Sequence, residues 1–277
     1  MFKHTFAAFA ILLGFVHNST HAAPATIGSC YDTVKLGDIT PPALSRDLYV
    51  LVDQTMALDA KLQEESYQKI IQFLMPGDSV QVIGFSANAA GYYTEIILRG
   101  VIDARLPEDT RYAISKKILR QVDTCQKNQD SQVRTYTGKA LLHAFSNATT
   151  DLPKTEILSN LSSVSKNIIS QSDTPEKYML IISDMMENSD LLSLYGGGKL
   201  ENLNPARELE KLETKVTFED MDQTQVYVVG GGFLNDGKYR SSVALKSLED
   251  FWSLYFERSN ADLRQFGTPS LLGQIGQ

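Results

Sequence analysis

The feature that most narrows what this chain can fold into is a pair of short, wholly apolar runs, each closed by an aspartate. Leu48-Tyr49-Val50-Leu51-Val52 ends at Asp53, and Tyr178-Met179-Leu180-Ile181-Ile182 ends at Ser183-Asp184. A run that is apolar at every position, rather than at alternate ones, suits a strand covered on both faces, as strands of parallel sheets are. Helical patterns separate such runs. Leu58, Leu62, Ile70, Ile71 and Leu74 recur at helical spacing until Pro76-Gly77 stops them. Val80 to Phe85 reads as a second strand, and a turn at Gly91 leads to a third, Tyr93 to Leu98, as an antiparallel hairpin. Arg111 to Val122, Gly138 to Ala148 and Ile157 to Ile169 read as helices, and Val226 to Val229 as a last strand. Leu245, Leu248, Phe251, Trp252, Tyr255 and Phe256 form a helical stripe of core type. The fold class that follows is α/β: a doubly wound, mostly parallel sheet with one antiparallel edge strand and helices on both faces. Such sheets bind ligands at the carboxyl ends of strands, where the strand order reverses.

At 277 residues and 43% hydrophobic, the chain supports one sizeable core. Its 26 Lys and Arg stand against 33 Asp and Glu, a net charge of -7, which argues against nucleic acid as a partner. Lys3 and His4 precede an apolar stretch from Phe6 to Val16 and the small-residue site Ala23-Pro24-Ala25. This is the pattern of an export signal. Cleavage after Ala25 satisfies the small-residue rule, and cleavage after Ala22 is the alternative. The stretch is shorter than the roughly 20 residues a membrane-spanning helix needs, and no other segment approaches that length. The expected layout is a signal peptide over 1–25, a leader over 26–45, the folded domain over 46–258 and a tail over 259–277. The expected destination is the periplasm or the extracellular space, with no membrane span after cleavage. In an oxidising compartment Cys30 and Cys125 would pair as a disulfide. Ile27-Gly28-Ser29-Cys30 has the outline of a lipidation box, but the polar stretch His17 to His21 separates it from the apolar run.

Three segments put oxygen ligands at or near the carboxyl rim: Asp53-Gln54-Thr55-Met56-Ala57, Thr135-Tyr136-Thr137-Gly138 and Ser183-Asp184. If the strands before Asp53 and Asp184 are neighbours, roughly 4.8 Å apart, the two carboxylates repel unless one is protonated or a cation lies between them. Carboxylates with hydroxyls make a hard-oxygen set suited to Mg²⁺ or a similar ion. Each residue also has a plain structural reading. Asp53, Thr137 and Asp184 could all cap helices or start turns.

The order strand–DxTxA, hairpin, TGxALL helix, strand–SD and strand–GGG, spanning Arg46 to Phe256, resembles the von Willebrand factor type A family with its metal-ion-dependent adhesion site. The resemblance implies Asp53, Thr55, Thr137 and Asp184 as ligands of Mg²⁺ or another divalent cation, with a partner's carboxylate completing the shell. One position departs from the pattern: Ala57 stands where the family carries a serine. Asp59 and Glu187 are the nearby residues that could replace the missing oxygen.

The expected function is an exported binding module that recognises a protein partner with divalent-cation assistance. The alternative is a metal-independent structural or assembly component of a cell-envelope complex. A phosphatase-like hydrolase ranks below both, because Asp53-Gln54-Thr55 lacks the second aspartate of D-x-D-x-T. Gly84-Phe85-Ser86-Ala87-Asn88 is only half of G-x-S-x-G. The expectation is therefore a protein that is not an enzyme. Gly230-Gly231-Gly232 lacks G-x-G-x-x-G and reads as a flexible turn, and Gly196-Gly197-Gly198 as a loop. The histidines show no zinc spacing.

Overall fold

The structure, a computed structural model, describes residues 23–86, 94–149, 154–195, 200, 203–233 and 240–277. The expected export signal falls almost entirely outside these residues, as do the turn at Gly91 and the loop at 196–198.

Seven strands form one sheet: β1 (Ala25–Ile27), β2 (Arg46–Asp53), β3 (Asp78–Phe85), β4 (Glu95–Ile102), β5 (Glu176–Ile182), β6 (Thr224–Val229) and β7 (Ala261–Phe266). Their spatial order is β1-β4-β3-β2-β5-β6-β7, with β3 and β4 antiparallel and every other neighbouring pair parallel. This is the expected α/β architecture, a mostly parallel, Rossmann-like sheet with one antiparallel pair. The helices are α1 (Ala60–Phe73), α2 (Glu108–Tyr112), α3 (Lys116–Ser146), α4 (Ile157–Asn167), α5 (Pro205–Glu213) and α6 (Ser242–Arg258).

Both apolar runs are the buried central strands that their composition requires. Because side chains alternate across a strand, Leu48, Val50 and Val52 join Leu180 and Ile182 in a core beneath α1 and α3. Tyr49, Leu51, Met179 and Ile181 join the opposite core, with α4, α5 and α6. Five residues of the α6 stripe are committed there, Phe251, Trp252 and Phe256 with no exposed surface, while Leu245 is half-buried outside that core.

The sheet reaches beyond the 46–258 boundary at both ends. Ala25–Ile27 pairs with β4, so β4 is antiparallel but is not the outermost strand. Ala261–Phe266 pairs with β6 as the other edge, within the stretch read as a tail. β7 escapes notice because its burial alternates weakly and Asp262 and Arg264 interrupt the apolar pattern. The leader is fastened rather than loose. Cys30 and Cys125 form a disulfide, which sets aside lipidation of Cys30. The Asp103 carboxylate accepts hydrogen bonds from Ser29 Oγ (2.8 Å), the Cys30 amide (2.6 Å) and Gln129 Nε2 (2.9 Å).

A second correction concerns the segment between the two expected helices Arg111–Val122 and Gly138–Ala148. A single helix of 31 residues, α3, runs through it. Val122, Gln129, Val133, Thr137, Ala140, Leu141 and Ala144 form its buried side at spacings of three, four and seven. Polar Gln129 and Thr137 sit on that inward stripe, and they hide its periodicity from the sequence.

Candidate functional site

The strand order turns around between β2 and β5, and both strands end at the same rim. Asp53 is the last residue of β2 and Ser183-Asp184 follows β5 directly. Asp53, 1% exposed, accepts through Oδ1 from the Thr55 amide (2.8 Å) and the Thr55 hydroxyl (2.7 Å). Its Oδ2 accepts from Ser183 Oγ at 2.6 Å. Asp184, 9% exposed, accepts through Oδ1 from the Met186 amide at 2.8 Å. The Tyr195 hydroxyl approaches its Oδ2 at 3.4 Å. The two aspartates thus use turn-type hydrogen bonds to shape the chain, the role their residue type favours at strand ends. No helix follows Asp184 for it to cap.

A second threonine completes the group. Thr55 Oγ1 and Thr155 Oγ1 lie 2.9 Å apart. Thr155 is held there because its backbone pairs in both directions with Asn188, four residues beyond Asp184 (3.1 and 2.8 Å). Asp53, Thr55 and Thr155 therefore form one hydrogen-bonded set of oxygens, and the Asp53 charge also acts on Asp184.

Thr137 is not part of it. It lies inside α3, fully buried, and its hydroxyl has no hydrogen-bond partner. Ala144, two turns later, is the α3 residue whose carbonyl receives Gln54 Nε2 from the rim (3.3 Å). At 1.5 Å rise per residue Thr137 sits about 10 Å below that level. The threonine that stands beside Thr55 in space is Thr155, one residue ahead of Glu156, the N-cap of α4. The only sequence signal for it was a hydroxyl residue just before the helix that begins at Ile157.

Neither candidate replacement for the missing serine fills its place. Asp59 is exposed and caps α1 through the Leu62 amide (2.9 Å). Glu187 is buried and accepts from the Leu158 amide at 3.0 Å. Ala57 itself is exposed at the turn.

The turn at 230–232 is constrained rather than flexible. Gly230 has φ +92°, and a side chain there would meet the Ser183 carbonyl at 3.2 Å. Gly232, at φ +68°, donates its amide to the Asp184 carbonyl at 2.8 Å. The end of β6 thereby closes on the Asp184 loop. Met185, also in the left-handed region at φ 60°, is locked by Trp252 Nε1, which donates to its carbonyl at 2.8 Å. A non-glycine residue in that region stores strain, as residues shaped for a site often do.

Electrostatics mark the same place. Burial first, then the Asp53 charge, pushes the Asp184 carboxyl up to about 7, with the Met186 amide, Arg240 and Tyr195 pulling back. Burial also raises the Asp53 carboxyl, against hydrogen bonds from Ser183 and Thr55. Burial and mutual repulsion disfavour charge on both carboxyls, a cost that a proton or a nearby cation relieves. Among the described residues no group of three or more Asp, Glu, His or Cys is placed to hold a metal ion. The donor set is two carboxylates with two hydroxyls. That set fits a single hard divalent ion, with one direct hydroxyl fewer at Ala57.

Glu187 adds a test of the loop. Burial drives its carboxyl up to about 7, opposed by hydrogen bonds from Ser189, Leu158 and Ile157. An acid whose folded pKa is raised favours folding while protonated, so its contribution declines as pH rises from about 4.5 toward 7 and is flat above. Glu187→Gln, which keeps an acceptor for Leu158, is expected to stabilise the protein at pH 8 on the order of 2 kcal/mol and to change little at pH 4. Urea unfolding at the two pH values measures it.

No family model and no curated protein matches the sequence. Among solved structures, the chain is similar to proximal thread matrix protein 1 from the mussel byssus (14% identity, TM-score 0.37, 74% of this chain and 41% of that one). It is also similar to an aerotolerance-related membrane protein of Bacteroides fragilis (12% identity, TM-score 0.33, 80% and 92%). A third is the pilus adhesin SpaC of Lactobacillus rhamnosus GG (11% identity, TM-score 0.38, 81% and 28%). The chain thus spans well under two thirds of the mussel and Lactobacillus proteins.

Proposed function

We propose that the protein is an exported binding module that uses a divalent cation, Mg²⁺ or a similar ion, at the β2/β5 rim to recognise an acidic side chain of a protein partner. The observation that carries this is the pairing of two buried carboxylates, Asp53 and Asp184, with the Thr55–Thr155 hydroxyl pair at the switch point of the sheet. Thr55 and Thr155 would hold the ion directly, with Asp53 and Asp184 bearing its charge. The ion supplies a positive, exchangeable coordination position for a carboxylate. Asp53 orients Thr55, and Ser183 orients Asp53. This reading assigns no catalysis. The disulfide fits an oxidising compartment, and no helix among the described residues is long and apolar enough to cross a membrane.

Thermal unfolding in Mn²⁺ and in chelator tests it. Saturating Mn²⁺ at about 100 times its dissociation constant is expected to stabilise the wild type by about 2.7 kcal/mol relative to chelator. Asp53→Ala is expected to show no such difference. An equal response to Mn²⁺ and chelator in the wild type would favour the metal-independent assembly role instead.

A further inference from the structure

A cation is already built into this rim. Arg240 lies just ahead of α6, whose N-cap is Ser241. Its side chain passes over Gly232: a β-carbon placed on that glycine would lie 4.0 Å from Arg240 Cδ. The same glycine donates its amide to the Asp184 carbonyl at 2.8 Å. The guanidinium charge acts on both Asp184 and the Tyr195 hydroxyl beside it. Arg240 Nε is buried and has no hydrogen-bond partner, and no ion pair is formed by Arg240 among the described residues. An unpaired buried N–H is an unfavourable arrangement, and among the described residues no structural partner neutralises the Arg240 charge.

We propose that Arg240 is the resident counter-charge of the Asp53–Asp184 pair and competes there with a divalent ion. The inference rests on the cation-site reading above. Two ionised carboxylates carry two negative charges. The guanidinium, permanently charged, offsets one of them without an ion, and an arriving divalent ion meets its repulsion. Together with the hydroxyl missing at Ala57, Arg240 sets the site to bind metal weakly in the absence of a partner.

The test is Mn²⁺ titration by calorimetry on the full chain, comparing wild type, Arg240→Gln, Arg240→Lys and Asp53→Ala. Removing the guanidinium charge is expected to tighten Mn²⁺ binding on the order of tenfold in Arg240→Gln. Arg240→Lys, which keeps the charge, stays near wild type, and Asp53→Ala loses binding. Should Arg240→Gln not retain the wild-type circular dichroism, Arg240→Met serves in its place. If the neutral variant binds no more tightly than wild type while Asp53→Ala still abolishes binding, the role of Arg240 is overturned and the cation site stands. If Arg240→Lys tightens binding as much as the neutral variant, charge competition is likewise overturned. If wild type and neutral variant both fail to bind Mn²⁺, both ideas fall.

Discussion

Replacing Trp252 with alanine is expected to destabilise the protein by about 4 kcal/mol. The ring is the largest fully buried side chain, packed edge-on against Phe251 and Tyr255 at centroid distances of 5.2 and 5.4 Å. Truncation removes that packing and leaves a cavity that a rigid α6–sheet interface fills poorly. It also orphans the Met185 carbonyl, which Trp252 Nε1 satisfies at 2.8 Å. Because Met185 adjoins Asp184 and holds a left-handed conformation, the effect reaches the rim. Trp252→Phe separates the two contributions. It keeps most of the ring and loses the hydrogen bond, and is expected to cost about 1–2 kcal/mol. Urea unfolding of both variants measures the difference, and a loss below about 1 kcal/mol for the alanine variant contradicts the packing described.

The disulfide carries an effect of similar size for a different reason. Cys30 and Cys125 are 95 residues apart, and closing so long a loop removes conformational freedom mainly from the unfolded chain. On the chain-entropy account that is worth about 4.7 kcal/mol. The folded state is expected to keep its shape without the bond. The Asp103 hydrogen bonds and the small cluster of Tyr31, Leu106, Ile114 and Val122 still hold the leader against α3. Cys30→Ala/Cys125→Ala should therefore show wild-type circular dichroism at low temperature and a urea midpoint shifted strongly downward. A midpoint within error of wild type would mean that the unfolded chain is already constrained near these residues.

What could be read from the sequence, and what could not, follows one physical line. Strands buried on both faces must be apolar throughout, so β2 and β5 were visible, and with them the positions of Asp53 and Asp184 at their ends. The disulfide was visible because a lone pair of cysteines behind an export-type leader pattern has few other expected roles. The edge strands were not, because β1 has only three residues and the side chains of β7 alternate between half-buried and exposed. Thr137 was misplaced by its motif. A threonine before Gly-x-Ala-Leu-Leu looks like a loop residue, yet the stripe from Val122 to Ala144 carries α3 straight through it. Thr155 was hidden for the converse reason. It has no local motif and is placed by backbone pairing with Asn188, a long-range contact that a single sequence does not encode in any short window. Arg240 likewise acquires meaning only once the β6 turn folds over Asp184.

The proposed site requires four oxygen-bearing residues from three separate segments of the chain, Asp53 with Thr55, Thr155 and Asp184, to act together. Crystals grown without metal, then soaked in Mn²⁺ and measured at the manganese edge, address this directly. A single anomalous peak within coordination distance of Thr55 and Thr155, between Asp53 and Asp184, is the predicted result. Full Mn²⁺ exposure that leaves that rim without a peak, or places the ion away from these residues, would contradict it.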